Sequence, residues 1–161
     1  MMGTANILEE SRKLNIETFS GVITTDKVYR NHERGVKFLE TDAIMGSDPY
    51  SASKAAAENV VSAWRSLNGT SEKAFITSLR AGNVIGGGDL AENRLLPDLY
   101  RSLQRSESPI IRNPQSVRPW QHVLDPLVGY LFALERSIEL RVSSEYNFGP
   151  RRRSIRRRNG C

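Results

Sequence analysis

The sequence is poor in cysteine and in long apolar runs, and both shortages exclude classes of protein. Its one cysteine, Cys161, is the final residue, so it can neither close an internal disulfide nor share a metal cluster. The longest apolar stretch, around 127–134, is far shorter than the roughly 20 residues that span a bilayer. The chain also opens without the charged and apolar segments of a secretory signal. These shortages predict a reducing, cytoplasmic setting and no membrane partner.

The bulk composition is that of a globular domain, and the excess positive charge is confined to one end. The chain has 161 residues, 39% of them hydrophobic and 25% charged, which is enough to bury one core. Residues 151–161 contain six arginines and no acid, and subtracting them from the net charge of +5 leaves 1–150 at about −1. Because this basic tail has no interleaved aromatic residues, we expect it to be disordered and do not expect nucleic acid as the partner.

Helical and strand-like patterns alternate along the chain, which predicts an α/β fold with a largely parallel sheet. The helices are predicted over 3–14, 50–67, 97–105 and 126–137, and the strands over 18–24, 73–80, 109–112 and 145–150. In the second helix, the spacing of Ala56, Val60 and Trp64 indicates one buried stripe. Asp125 is predicted to cap the last helix. An open α/β sheet normally begins with a strand, whereas this pattern opens on a helix.

The strongest local chemical signal is Tyr-Ser-Ala-Ser-Lys at 50–54. Positions i and i+4 share one helix face, so the phenol of Tyr50 and the ammonium of Lys54 can meet the same ligand. A nearby cation stabilises a phenolate, which allows a tyrosine to take a proton from an alcohol while a hydride leaves its carbon. An exposed helical pair explains this motif alone equally well. The signal gains weight from Thr-Thr-Asp-Lys at 24–27, which follows a predicted strand where open sheets bind ligands.

Six segments carry a family resemblance. They are TTDKVY (24–29), DPYSASKAAAE (48–58), RAGNVIGGGD (80–89), RLLPDLYR (94–101), IRNPQSVRPWQHVLDPLVGYL (111–131) and YNFGP (146–150). Together they resemble the extended short-chain dehydrogenase/reductases, and within them the CDP-glucose branch of the nucleotide-sugar 4,6-dehydratases. Tyr-x-x-x-Lys marks only the superfamily, whereas TDK in place of the TDE of the dTDP-glucose branch is much more specific. The resemblance covers residues 1–150 almost continuously.

The resemblance implies an NAD-dependent lyase that dehydrates CDP-glucose to a CDP-4-keto-6-deoxyglucose for bacterial surface polysaccharides such as the O-antigen of lipopolysaccharide. Tyr50 would be the base at the sugar's C4, and Thr25 would hydrogen-bond the same oxygen. Lys54 would bind the nicotinamide ribose. Asp26 and Lys27 would assist elimination of water across C5 and C6, with Asp26 favoured as the donor to the departing hydroxyl. The resemblance assigns the substrate diphosphate to Asn83, Arg94 and Arg118, whose guanidinium groups suit phosphate.

The resemblance also implies the domain organisation, a partial Rossmann-like, doubly wound parallel sheet with part of a small C-terminal substrate-binding subdomain. Residues 1–80 would be the remainder of the dinucleotide-binding domain, and 81–150 the substrate-binding region, including a helix that returns to the sheet. The family's N-terminal G-x-x-G-x-x-G turn, which binds the NAD pyrophosphate, has no counterpart here, and the family pattern stops at Pro150. We therefore expect the catalytic portion of a longer, homodimeric enzyme, with little or no activity by itself.

A glycine-rich turn at 86–91, GGGDLA, fits the G-x-G-x-x-G/A pattern and follows a predicted strand. A dinucleotide loop needs a helix N-terminus directly after its glycines, but the next helix is predicted to begin only at Pro97. The family has this turn near the substrate, so we interpret it as unrelated to the dinucleotide.

Two alternatives remain open at the level of sequence. The chain could belong to another nucleotide-sugar epimerase or dehydratase, which binding of a CDP-, UDP- or dTDP-sugar distinguishes. It could instead be a non-catalytic protein whose arginine tail binds nucleic acid, in which case deletion of 151–161 abolishes that binding.

Overall fold

The structure is a computed structural model that describes residues 1–31, 37–68, 73–112 and 114–150. Its helices are α1 (Met2–Lys13), α2 (Pro49–Asn68), α3 (Leu95–Gln104) and α4 (Leu124–Leu140). Its strands are β1 (Thr18–Ile23), β2 (Ala74–Ala81), β3 (Val84–Ile85), β4 (Gln121–His122) and β5 (Glu145–Phe148), and one 3-10 turn spans Asp26–Val28. The predicted basic tail at 151–161 lies outside the described residues. None of the described helices is long and apolar enough to cross a membrane.

The main sheet has three parallel strands in the order β1-β2-β5. Strand β2 lies in the middle, with Thr18 of β1 opposite Ala74 and Phe148 of β5 opposite Ala81. All but one of its residues are buried, because it has a strand on each edge and helices on both faces. The predicted α/β fold with parallel strands is confirmed. Among the described residues, the outer edge of β1 has no strand beside it.

Helices cover both faces of this sheet because alternate side chains of β2 point in opposite directions. On one face, Ile76 packs with Leu8 of α1 and Val61 of α2. On the other face, Leu79 packs with Tyr130 and Ala133 of α4. The two apolar clusters lie on opposite sides of one strand, as in a doubly wound sheet.

The buried surface of α2 is wider than the one stripe that the sequence predicts. Ala56, Val60 and Trp64 are only partly buried, whereas Ala57 and Val61 are 4% and 0% exposed. The reason is that α2 contacts three partners at once, namely β2, α1 and the 3-10 turn. A single stripe at helical spacing therefore underestimates its contact surface.

Two local predictions are wrong. Residues 109–112 form no strand; they are an exposed segment with no strand beside it among the residues that the structure describes, and Ile110 is 89% exposed. Asp125 is not the cap of α4, because the helix begins one residue earlier at Leu124, after Val123. The Asp125 carboxylate instead accepts a hydrogen bond from the backbone nitrogen of His122 at 3.2 Å, which supports the turn that leads into α4.

A second, two-stranded parallel sheet joins β3 to β4, with Val84 opposite Gln121 and Ile85 opposite His122. Strands of two residues have no periodicity, so the sequence does not predict them. This small sheet brings residues 118–122 beside the turn that follows β2, and so helps to form the site.

Candidate functional site

The first turn of α2 carries Tyr50, and Asp48 fixes where that turn begins. Asp48 Oδ1 accepts from the backbone nitrogens of Tyr50 at 2.9 Å and Ser51 at 3.1 Å. The Ser51 hydroxyl donates to Asp48 Oδ2 at 2.7 Å. These bonds satisfy amides that a helix leaves free at its N-terminus, and Pro49 suits the first helical position. The bonds from Ser51 also lower the pKa of the Asp48 carboxyl from its usual value.

The chain before α2 passes directly against its first turn, at Gly46. A side-chain carbon at Gly46 would lie 2.2 Å from the backbone nitrogen of Ala52, closer than any real contact. Only glycine therefore fits at this position. The close approach holds the turn that carries Tyr50 against the rest of the chain.

Tyr50 and Lys54 lie one helical turn apart on α2, as the sequence predicts. The Tyr50 side chain is 52% exposed, and Lys54 is half-buried. Within the part of the chain that the structure describes, the Lys54 ammonium has no hydrogen bond or ion pair. The helix therefore presents one phenol and one available cation on the same face.

The Thr-Thr-Asp-Lys segment meets this face of α2. The Lys27 ammonium nitrogen lies 5.7 Å from the centroid of the Tyr50 ring, over its face. Val28, which follows Lys27, is completely buried against Ala55 of α2. The structure thus brings Lys27 and Tyr50 together, although they belong to separate motifs in the sequence.

Thr25 is buried, and its hydroxyl is engaged within the segment. It donates to Asp26 Oδ1 at 3.3 Å and accepts from the backbone nitrogen of Lys27 at 3.4 Å. The adjacent Thr24 hydroxyl donates to the carboxylate of Glu58 on α2. Both threonines therefore hold the segment in shape.

Asp26 is partly buried at the start of the 3-10 turn. Burial raises its pKa above the usual value, and this exceeds the opposing effects of the Thr25 hydrogen bond and of the Lys27 and Arg118 charges. The Asp26 Oδ2 atom lies against Gly82, where an added side-chain carbon would be 3.2 Å from it and 2.7 Å from Pro119. A carboxyl group with a raised pKa keeps its proton more readily, so Asp26 is suited to donate one.

The three residues predicted to bind the diphosphate are not all assembled. Arg118 is exposed, and its charge acts on Asp26. Asn83 is partly buried, and its backbone carbonyl accepts from the Gln121 nitrogen at 3.0 Å. Arg94, in contrast, forms an exposed ion pair with Asp89 of the glycine-rich turn at 3.1 Å.

The glycine-rich turn does not lead directly into a helix. Helix α3 begins at Leu95, several residues after the turn ends at Ala91. The backbone amides at the start of α3 are therefore not next to the glycines. This agrees with the sequence prediction, and the turn lacks the arrangement of a dinucleotide loop.

A buried polar network behind the site is absent from the sequence prediction. Arg80 Nη2 lies 2.8 Å from Glu58 Oε2, and the two side chains are 5% and 2% exposed. Arg80 Nη1 also donates to the Tyr29 hydroxyl at 2.7 Å, and that hydroxyl donates to Asn147 Oδ1 at 2.7 Å. No local signal in the sequence marks this network, because Glu58 lies among both polar and apolar residues of α2 and Arg80 lies on a separate element.

Comparisons with known proteins agree with this architecture. Residues 1–149 match the NAD dependent epimerase/dehydratase family. The chain is 45% identical over 159 residues to the CDP-glucose 4,6-dehydratase of Salmonella typhimurium. The alignment covers 94% of this chain and 44% of that protein. It is 29% identical over 143 residues to a dTDP-glucose 4,6-dehydratase of Haemophilus influenzae, in an alignment that covers 88% of this chain and 40% of that protein.

Solved structures give the same fold. The dTDP-glucose 4,6-dehydratase of Bacillus anthracis, in complex with NAD, matches with a TM-score of 0.76 at 26% identity, over 92% of this chain and 45% of that one. The UDP-glucuronic acid 4-epimerase of Bacillus cereus, in complex with UDP-glucuronic acid and NAD, matches with a TM-score of 0.77 at 18% identity, over 93% of this chain and 45% of that one. The chain thus spans somewhat less than half the length of these relatives. Its matched sequence and its fold agree, and the chain belongs to the NAD dependent epimerase/dehydratase family.

Proposed function

We propose that this chain carries the catalytic residues of a nucleotide-sugar 4,6-dehydratase, a lyase, whose substrate is CDP-glucose. The observation that carries the proposal is the contact of Lys27 with Tyr50 beside a partly buried Asp26. A dehydratase of this type needs a proton acceptor at one sugar carbon and a proton donor near another. Here the exposed phenol of Tyr50 lies beside the Lys27 cation. Asp26, whose carboxyl group has a raised pKa, directly precedes Lys27 in the chain. The 45% identity to a CDP-glucose 4,6-dehydratase supports the choice of substrate.

The residues of α2 fit the nicotinamide-ribose end of NAD. The Lys54 ammonium offers three donors on the face that carries Tyr50, and ribose hydroxyls accept such hydrogen bonds. We assign Tyr50 and Lys54 to this cofactor. NAD held there would supply hydride transfer, as the acceptor of the hydride from C4 of the sugar and its donor to C6.

Tyr50 is the proposed base at the C4 hydroxyl. The Tyr50 oxygen takes the hydroxyl proton while C4 becomes a ketone. Thr25 is assigned a hydrogen bond to the same oxygen. For this, the Thr25 hydroxyl must exchange its bond to Asp26 for one to the sugar.

Asp26 is the proposed acid for the departing C6 hydroxyl. Once C4 is a ketone, the C5 proton is acidic, and its loss with the C6 hydroxyl leaves a C5–C6 double bond and water. Burial keeps the Asp26 carboxyl protonated to higher pH than usual, so it can supply the proton that water needs. The C5 proton passes to solvent water, and the Lys27 ammonium assists this step by stabilising the enolate oxygen that forms at C4. Return of the hydride at C6 and uptake of a solvent proton at C5 would complete the 4-keto-6-deoxy product.

The nucleotide diphosphate is assigned to Arg118, Asn83 and Arg94. Arg118 is exposed next to Asp26, so its guanidinium can hold a phosphate at the mouth of the site. Arg94 must first release Asp89, and a surface ion pair of this kind costs little to break. The division between 1–80 and 81–150, the cytoplasmic location, the homodimer and the role in surface-polysaccharide synthesis remain predictions.

A chimera tests the proposal. Residues 1–150 of this chain replace the matching segment of the Salmonella typhimurium enzyme, whose remaining length supplies what this chain does not span. The purified chimera is incubated with NAD and CDP-glucose, and the product is identified by nuclear magnetic resonance. We expect a CDP-4-keto-6-deoxyglucose. A folded chimera that binds NAD but leaves CDP-glucose unchanged contradicts the proposal, and turnover only of a UDP- or dTDP-sugar favours another member of the family.

A further inference from the structure

We propose that the buried ion pair of Glu58 and Arg80 is a positioning device that holds Lys27 over Tyr50. The inference rests on the proposed function for its choice of Lys27 and Tyr50 as site residues. It adds two residues to which that function gives no role, and it explains how two exposed side chains on separate elements keep one geometry.

The pair is fixed because it is buried and each member makes a further hydrogen bond, Glu58 with Thr24 and Arg80 with Tyr29, while Arg80 Nε is buried without a partner among the described residues. The Arg80 and Glu58 side chains are 5% and 2% exposed and lie 2.8 Å apart. Burial raises the pKa of the Glu58 carboxyl, but the hydrogen bonds from Arg80 and Thr24 outweigh it and leave that pKa below the usual value. Burial likewise lowers the pKa of Arg80, and the bonds to Glu58 and Tyr29 more than reverse this. Both groups therefore stay charged in the folded protein.

Glu58 joins α2 to the start of the Thr-Thr-Asp-Lys segment (24–27). One carboxylate oxygen is paired with Arg80, and the other accepts from the Thr24 hydroxyl. Thr24 is the first residue of this segment, which also carries Asp26 and Lys27. Since Glu58 and Tyr50 belong to the same helix, the bond to Thr24 fixes the segment relative to Tyr50.

Arg80 holds the other end of the same segment. Its second guanidinium nitrogen donates to the Tyr29 hydroxyl at 2.7 Å, and its guanidinium carbon lies 5.3 Å from the Tyr29 ring centroid. Tyr29 directly follows the 3-10 turn Asp26–Val28. The segment is thus held at Thr24 and at Tyr29 by the two members of one ion pair, with Lys27 between them.

Neither member of the pair can be a catalytic residue. Both side chains are almost fully enclosed between α2 and the sheet, so neither can contact a substrate or a cofactor. The pair acts only through the position of the segment. Its removal should therefore displace Lys27 from Tyr50 before it affects distant parts of the fold.

A spectroscopic readout separates this role from a general contribution to stability. The Lys27 side chain lies over the Tyr50 ring, so the ring current shifts its ε-methylene protons upfield of those of the other lysines. Tyr50→Leu defines the value without the ring. Gly129, whose added side-chain carbon would lie 2.5 Å from the Phe148 ring, reports in the same spectrum on packing between α4 and β5.

The variants are made in the 161-residue chain, without substrate or cofactor. We expect Glu58→Gln to remove most of the Lys27 upfield shift and to leave the Gly129 signal in place. Arg65→Gln is the matched control, because Arg65 lies on the same helix but pairs with Glu145 at 2.8 Å, away from the segment. We expect this control to keep the Lys27 shift.

A folded Glu58→Gln variant with an unchanged Lys27 shift overturns the proposal. If Glu58→Gln does not fold, Thr24→Val decides, because it removes only the bond from the segment to Glu58 and leaves the ion pair intact. A reduced Lys27 shift in Thr24→Val supports the proposal, and an unchanged shift overturns it. The Lys27 shift is measured without turnover. The positioning proposal can therefore be supported or overturned whether or not the proposed dehydratase activity is found.

Discussion

The Lys27 ammonium nitrogen lies 5.7 Å from the centroid of the Tyr50 ring, although the two residues belong to different elements. A cation over an aromatic face at an exposed site stabilises the contact by only about 0.5–1 kcal/mol. That attraction is too weak to fix the segment by itself. The geometry therefore depends on the buried groups behind it, at Thr24, Tyr29 and the Glu58–Arg80 pair.

The first prediction concerns the proposed base. In the chimera with the Salmonella typhimurium segments, Tyr50→Phe removes the hydroxyl that accepts the C4 proton. We expect kcat to fall by about 10²- to 10⁴-fold, the usual contribution of a positioned acid or base. Steady-state kinetics with CDP-glucose measures it. Tyr100→Phe, an exposed tyrosine on α3, is the matched control, and equal losses in both variants argue against a special role for Tyr50.

The second prediction links stability and activity at Asp26. Its pKa is raised in the folded protein, so the ionised carboxylate opposes folding at pH values above the folded pKa. Asp26→Asn removes this effect. We expect the variant to unfold at a higher temperature than the parent at neutral pH, and the gain to vanish as pH falls below the usual value of 3.8. In the chimera, the same change should lower kcat by about 10²- to 10⁴-fold.

Thermal unfolding of the 161-residue chain across pH 3–8 measures the stability change. Glu92→Gln is the control, because Glu92 is exposed and the same loss of charge there should not raise stability. A loss of stability in Asp26→Asn at neutral pH contradicts the expected sign.

The third prediction concerns the approach of the chain to α2. Gly46→Ala forces a side-chain carbon to within 2.2 Å of the Ala52 backbone nitrogen, and the chain must shift. Overpacking of this kind costs about 1–3 kcal/mol of unfolding free energy, and a clash with backbone belongs at the upper end. Urea denaturation measures it. Gly3→Ala is the control, since nothing lies within 4 Å of the added carbon, and we expect it to cost nothing.

The fourth prediction concerns the energetics of the ion pair. Glu58→Leu leaves Arg80 charged and buried without a partner, so we expect a loss of about 3–5 kcal/mol. The double variant Glu58→Leu with Arg80→Leu removes both charges and should be more stable than that single variant. Denaturation of the parent, both singles and the double completes the cycle. A double variant that loses the sum of the two single losses shows that the residues are not coupled.

The main elements follow from the sequence because their signals are long and local. Helix α2 carries small apolar residues along much of its 20-residue length, and β2 contains the strand-forming run Phe75, Ile76 and Thr77. The pairing of Tyr50 with Lys54 on one helix face also follows from spacing alone. In contrast, β3 and β4 have two residues each and exist only because their backbones meet. The absence of a strand at 109–112 has the same cause, since the apolar residues there have no neighbouring strand within the described part of the chain.

The geometry of the candidate site depends on contacts between distant segments. The sequence identifies Tyr50 and Lys27, but their contact requires α2 to pack on the segment after β1. The same holds for Glu58 and Arg80, which lie on different elements and appear in the sequence as two ordinary charges. Arg94 is the opposite case, because the motif assigns it to the substrate and the structure pairs it with Asp89.

The most direct test of the central claim follows a deuterium label placed at C4 of CDP-glucose. The chimera is incubated with this substrate and NAD, and the product is analysed by proton and deuterium nuclear magnetic resonance. The proposed roles of Tyr50, Asp26 and Lys27 predict a 4-keto-6-deoxy sugar that carries the deuterium in its C6 methyl group. A product that retains deuterium at C4, or a folded, NAD-binding chimera that leaves the labelled substrate unchanged, contradicts the account.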